Sequence, residues 1–205
     1  MPIYQFADVI PVIHPSAFVH PSAEIIGDVI IEANVYIGPN AVLRGDFGRL
    51  IVCHGANVQD NCVMHGFPGK ETVLEQNVHV GHGAIIHGCH IDENCLIGMN
   101  AVVMDLARIG KESIIGANSF VKTNAHFEPR SMIMGSPARF IREVTADELL
   151  WKERGTSMYH KLSARCHREL KLVEPLTEVE ANRPEVSWSE SHSTKREALH
   201  GESEC

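Results

Sequence analysis

The chain has 205 residues, a formal net charge of −8 and thirteen histidines. That acidic balance, with no basic patch, excludes a nucleic-acid or anionic-membrane surface, and no apolar run approaches the roughly 18 residues that a membrane span needs. The six cysteines (Cys53, Cys62, Cys89, Cys95, Cys166, Cys205) form neither a C-x-x-C pair nor a disulfide framework. The opening MPIYQFADVIPVIHP lacks a basic stretch followed by an apolar one, so it does not read as a signal peptide. The expectation is a soluble cytoplasmic protein with no nucleic-acid or membrane partner.

From Ile13 onward the chain carries an aliphatic residue every sixth position: Val19, Ile25, Ile31, Ile37 and Leu43. The ladder resumes at Val52, Val58 and Met64, and again at Val73, His79 and Ile85, then runs through Ile91, Ile97, Val103, Ile109 and Ile115 to Val121. A six-residue period fits neither an α-helix nor hairpins. It predicts an all-β solenoid in which each short turn sends one large side chain inward. Four residues on, the side chain is small or β-branched (Ala17, Ala23, Val29, Val35, Ala41, Ala56, Cys62, Cys89, Cys95, Ala101), as a narrow prism requires. Gly38-Pro39-Asn40, Gly98-Met99-Asn100 and Gly116-Ala117-Asn118 read as corners, where φ > 0 is often needed.

Two steps, Leu43 to Val52 and Met64 to Val73, span nine residues instead of six, so together they restore the phase. The additions fall in RGDFGR and HGFPGKE. Insertions in a solenoid bulge on one face, commonly the binding face.

After the repeat, MIMGSPARFIREV reads as a strand and turn. Thr145-x-x-Glu148 is a capping box that opens a first helix through DELLWKER. Gly155 breaks it, and a second helix runs from about Ser157 to Leu172. The expected organisation is a β-helix domain over 1–143, C-terminal helices packed on it over 144–173, and a disordered acidic tail over 174–205.

His65, His82 and His87 suit a three-histidine centre with an open position for water. Counted along the ladder, His65 and His87 stand one above the other, whereas His82 belongs to the preceding turn and another face. One metal then collects all three only if His82 comes from a neighbouring chain, as in a cyclic trimer with interfacial sites. His14, His20, His54, His90 and His126 read as ordinary corner residues and His79 as core. Cys62 falls at a small core position and not in the ligand set.

RGD (44–46), NVQDNCVMHG (57–66) and GHGAIIHG (81–88) within hexapeptide repeats resemble the γ-class carbonic anhydrase family of left-handed β-helix trimers. MPIYQ, LRGDFGR, NCVMHGFP, GMNAVVMD and ELLWKERGTSMY are similar to its PaaY/CaiE branch, named for phenylacetate-degradation and carnitine operons. The resemblance spans roughly residues 1–175 and implies a left-handed parallel β-helix, with metal held by His65, His82 and His87 at the interfaces of a homotrimer. It implies that Arg44 and Asp46 tie adjacent subunits beside the site, that Gln59 hydrogen-bonds the activated water, and that Asp60 is an acidic partner there. Tyr159 would reach toward the pocket from the helix.

The same residues make chemical sense without the family. A dication on neutral imidazoles acidifies water, an amide can orient it, and an Arg–carboxylate pair suits a subunit lock. The metal expected is Zn²⁺, with Fe²⁺ or Co²⁺ as alternatives that a three-histidine set also accepts. The long acidic proton-shuttling loop of the family's type member is here only GFPGKETVLE, with Glu71 and Glu75 in its place. That departure argues against fast CO₂ hydration, so the expected substrate is CO₂ or bicarbonate or, as the operon context of the branch implies, an acyl-CoA thioester as in phenylacetate catabolism. The alternatives are a hexapeptide acyltransferase that uses CoA and a catalytic histidine without metal, or a metal-bearing assembly or regulatory trimer with little turnover.

Overall fold

A computed structural model of the chain describes residues 2–188. It is a left-handed parallel β-helix of about 7 turns followed by one helix. Each coil contributes one short strand to each of three faces. The first face stacks residues 24–27, residues 42–45, Val63–His65, Ile85–His87, Val102–Val103 and Phe120–Val121. The second stacks residues 29–31, residues 50–52, Thr72–Leu74, His90–Ile91, Arg108–Ile109 and His126–Phe127. The third runs from Phe18–Val19 through Tyr36–Ile37, Asn57–Val58, His79–Val80, Leu96–Ile97 and Ile114–Ile115 to Ser131–Gly135, where Ala138–Glu143 folds back antiparallel. Two long strands, Glu24–Ile31 and Val42–Val52, bend round the edge between the first two faces.

The prism interior is the aliphatic ladder, with one large side chain per strand and no exposure at Ile25, Ile37, Leu43, Val58, Met64, Ile97 and Ile109. Each such burial contributes about 1.5–3 kcal/mol. The corners are asparagine ladders: Asn40, Asn100 and Asn118 have φ of 56°, 55° and 57°. In the three predicted corner triplets it is thus the asparagine, not the glycine, that takes the left-handed conformation.

The ladder's phase needs one correction. The residues that enter the prism core after Met64 are Leu74, Val80 and Ile86, each without exposure, not Val73, His79 and Ile85: Val73 is buried at 7% but lies outside the core, and Ile85 is 39% exposed. The loop after Met64 therefore adds four residues to the hexad, and a five-residue step from Ile86 to Ile91 restores the rhythm. Adjacent aliphatics (Val73-Leu74, Ile85-Ile86) hide such a slip, because either member satisfies a period-six pattern. His79, expected in the core, points outward from the third face instead.

The second correction concerns the C-terminal segment. A single helix, Ala146–Glu169, opens on the predicted capping box of Thr145 and Glu148 and runs unbroken through Gly155. One helical glycine costs only about 1 kcal/mol against alanine, and the helix is anchored on both sides of it. Lys152 Nζ donates to the Asn77 carbonyl at 2.5 Å and to Asn94 Oδ1 at 2.6 Å, and His160 Nε2 donates to the Gly55 carbonyl at 2.7 Å. Ser163 donates to the Val35 carbonyl, and His167 meets the Phe18 ring edge-on. The helix thus lies along the rod, antiparallel to its growth. Residues 170–188 carry no helix or strand, although Arg165 stacks on Trp188 and donates to the Ser187 carbonyl at 2.9 Å. The rest of the expected tail, 189–205, lies outside the described residues. No helix among the described residues is long and apolar enough to cross a membrane.

Lys152 is fully buried on neutral acceptors, and burial pushes its ammonium down from 10.5 to about 8. Its folded pKa lies below its unfolded one, so below about pH 8 folding carries the cost of burying the charge, and that cost fades as pH rises toward 10.5. The unfolding free energy of the wild type minus that of Lys152→Met is expected to rise by about 3 kcal/mol across this window in urea titrations. A flat difference would show that the ammonium is not desolvated.

Candidate metal centre

On the first face, Arg44, His65 and His87 each follow an inward residue by one position (Leu43, Met64, Ile86). They stand side by side in parallel register, Arg44 opposite His65 and His65 opposite His87. The corrected phase is what makes this alignment complete. Strands about 4.8 Å apart bring the rings together: their centroids are 5.1 Å apart, and His65 Nδ1 lies 3.1 Å from His87 Nε2.

The other ring nitrogen of each histidine is held by a carboxylate. His65 Nε2 donates to Asp46 Oδ1 at 3.0 Å, and His87 Nδ1 donates to Asp105 Oδ1 at 2.5 Å. Arg44 Nη1 donates to Asp46 Oδ2 at 2.6 Å. Burial raises the Asp46 carboxyl, but the hydrogen bonds from Arg44 and His65 and the guanidinium charge outweigh it and hold it below the ordinary carboxylate range. Arg44 also reaches over the Phe47 ring, which lies 5.2 Å from the His65 ring. The two sequence insertions meet beside this pair: Arg49 approaches Glu71, and the Thr72 hydroxyl donates to the His65 carbonyl at 3.0 Å.

His82 sits apart, at the corner between the third and first faces, where its Nδ1 is 2.5 Å from Asp60 Oδ2. Next to Asp60, Gln59 is buried on the third face with Asn57 and His79, beneath the helix. Tyr159 comes down from the helix onto His79 and Tyr36, with ring centroids 5.2 and 5.3 Å away. Burial, reinforced by the Asp60 charge, pushes the Tyr159 hydroxyl up to about 12 and raises Tyr36 in the same direction.

The expected site residues therefore fall into two groups within one chain. Arg44, Asp46, His65 and His87 form the first; Gln59, Asp60, His82 and Tyr159 belong to the second. Among the described residues, no three His, Cys, Asp or Glu side chains of one chain gather as a metal site. Cys62 is buried and donates to the Gly81 carbonyl.

Each of the three histidines has one nitrogen anchored on a carboxylate, the pattern that orients imidazole ligands and fixes their tautomer. The facing nitrogens of His65 and His87 stand 3.1 Å apart, close to the roughly 3.3 Å that two nitrogens subtend in a tetrahedral zinc site with bonds of about 2.0–2.1 Å. The donor set fits a dication once a third nitrogen arrives. Asp105 was not among the expected site residues. Its only signal was its place two positions after inward Val103, matching Asp60 after Val58. Thr156 was missed because its contact depends on the register of the helix, and His79 was read as core.

A profile described as bacterial transferase hexapeptide (six repeats) matches residues 10–45 and 88–123. The carnitine operon protein CaiE of Escherichia coli is 53% identical over 196 residues, which is 96% of this chain and 100% of that protein. Among solved structures, a Bacillus cereus protein with a provisional acetyltransferase name is 38% identical, with a TM-score of 0.78, over 78% of this chain and 94% of its own. A hexapeptide transferase family protein of Anaplasma phagocytophilum is 34% identical, with a TM-score of 0.77, over 80% of this chain and 96% of its own.

Proposed function

The chain belongs to the hexapeptide-repeat transferase family, with CaiE among its relatives, and from that premise we propose that it is a metal-dependent enzyme of the γ-carbonic anhydrase type that cleaves an acyl-CoA thioester. The observation that carries this reading is the carboxylate behind each of His65, His82 and His87. His65 and His87 of one chain and His82 of the next, in a cyclic trimer, would hold Zn²⁺ or, alternatively, Fe²⁺ or Co²⁺. Bound there, the dication would supply a water acidified to a pKa of about 7 and a Lewis acid for the carbonyl.

The chain's own residues do the rest. Asp46, Asp60 and Asp105 accept one N–H from each imidazole and so keep the opposite nitrogen's lone pair available. Arg44 balances the Asp46 charge, and its forked guanidinium suits a contact across subunits. Gln59 offers a polar atom beside His82 to orient a nucleophile, and Phe47 gives an apolar bed beside His65 for an acyl group.

Thioester cleavage is favoured over CO₂ hydration because the carboxylates that would export protons are committed elsewhere. Glu71 lies 3.8 Å from Arg49, and Glu75 lies 3.3 Å from His90. The second reading, acyl transfer from CoA by a histidine base without metal, is supported by the family and by the Bacillus cereus relative's provisional name.

Metal analysis separates the two. Purified protein is expected to carry about one dication per chain, to lose it on His82→Ala, and to hydrolyse aromatic or aliphatic acyl-CoA only while loaded. Full acyl transfer by carefully metal-stripped protein would overturn the metal reading in favour of the second.

A further inference from the structure

The helix reaches the candidate centre through a chain of hydrogen bonds whose direction is set at one end. The carbonyl of Lys152 can only accept, so the Thr156 hydroxyl, 3.2 Å away, must donate to it. That leaves the Thr156 oxygen, 3.5 Å from His79 Nδ1, as the one neighbour of that nitrogen able to accept, since the other is the Asn57 amide nitrogen at 3.3 Å. A proton on Nε2 instead would be turned against the Gln59 amide nitrogen at 2.7 Å, the shorter contact, so the ring carries its proton on Nδ1. The His79 ring is neutral, since burial, and then the Lys152 and His82 charges, push it down to about 3. A neutral imidazole with a proton on Nδ1 has a bare Nε2. Only the amide nitrogen of Gln59, at 2.7 Å, can satisfy it. The second amide hydrogen of Gln59 goes to Asn57 Oδ1 at 3.0 Å.

Both N–H bonds of Gln59 are thus consumed on the protein side. Among the described residues, no buried side-chain nitrogen or oxygen lacks a partner, so the carbonyl oxygen of Gln59 is the end of the amide left accessible.

We propose that His79 is a positioning residue: held as its Nδ1–H tautomer by Thr156 and the helix backbone, it turns the Gln59 amide so that an acceptor, never a donor, faces the reacting groups. The ligand class that such an acceptor selects is a hydrogen-bond donor, such as a nucleophilic water or a protonated leaving group. It rejects the carbonyl oxygen of the substrate itself. The catalytic part of this inference rests on the reading that Gln59 borders the active centre; the tautomer does not.

The test uses the full chain as purified, labelled with ¹⁵N-histidine. Long-range ¹H–¹⁵N spectra between pH 5 and 8 are expected to show His79 neutral and protonated at Nδ1. Thr156→Val should shift it toward the Nε2–H form, and Thr156→Ser should restore it. An Nε2–H or charged ring in the wild type, or a tautomer indifferent to Thr156→Val, overturns the proposal. In acyl-CoA hydrolysis, Thr156→Val is expected to lower kcat about tenfold with KM and metal content unchanged, and to add nothing to Gln59→Ala. If Gln59→Ala itself leaves kcat intact, the placing of Gln59 at the active centre fails, while the spectra still decide the tautomer. Loss of kcat on Thr156→Val that multiplies with that of Gln59→Ala would overturn the coupling.

Discussion

Co-expressing His82→Ala chains with His65→Ala chains, each metal-free on its own, is expected to restore about a quarter of the metal sites. On the proposed reading, each site takes His65 and His87 from one subunit and His82 from the next. In a randomly mixed trimer, a site is intact only where a His82→Ala chain supplies the pair and a His65→Ala chain supplies the single histidine. Every mixed trimer then has about one intact site in three, and three-quarters of trimers are mixed. Metal content and metal-dependent hydrolysis should return together in the co-expressed sample. Pairing His65→Ala with His87→Ala should restore nothing, because both lesions fall on the same half-site. Recovery in that control, or none in the first mixture, would mean that the three histidines are not shared between subunits.

The second large effect concerns two neighbours in sequence. Ile86 is fully buried, whereas Ile85 is 39% exposed. Ile86→Ala removes methyl groups from a close-packed prism with no slack along its axis, so it is expected to cost about 2–5 kcal/mol. Ile85→Ala should cost under about 1 kcal/mol in the unassociated chain. Urea unfolding of both variants in dilute solution reads the difference from the midpoints at unchanged slope. Equal costs would return the ladder to the phase that places Ile85 inside.

That pair also marks how far the chain could be read from its residues. The period of six is imposed by one large inward side chain per strand, so it is visible without coordinates, and it carried the solenoid and the stacking of His65 over His87. It cannot resolve a one-residue slip where two aliphatics are adjacent, because Val73-Leu74 and Ile85-Ile86 fit either way. His79 was misplaced by that slip. Gly155 was read as a helix break because local propensity ignores the anchors at Lys152 and His160, which bind residues about 75 and 105 positions away. The separation of His82 from the other two was legible because it needed only a count of turns. Asp105 behind His87, and Thr156 behind His79, were not, since each pairing joins segments that only the wound coil and docked helix bring together.

The division of the histidines between two faces has a thermodynamic corollary. A lone chain with half a binding site has little grip on a dication, so on this reading loading and oligomerisation are linked equilibria, each drawing the other forward. Subunit concentration becomes a variable of metal affinity, and free metal at a hundred times its dissociation constant would strengthen each interface by about 2.7 kcal/mol. Nascent or dissociated chains would compete poorly for scarce metal, and the cell's supply of ions would be directed to assembled rods.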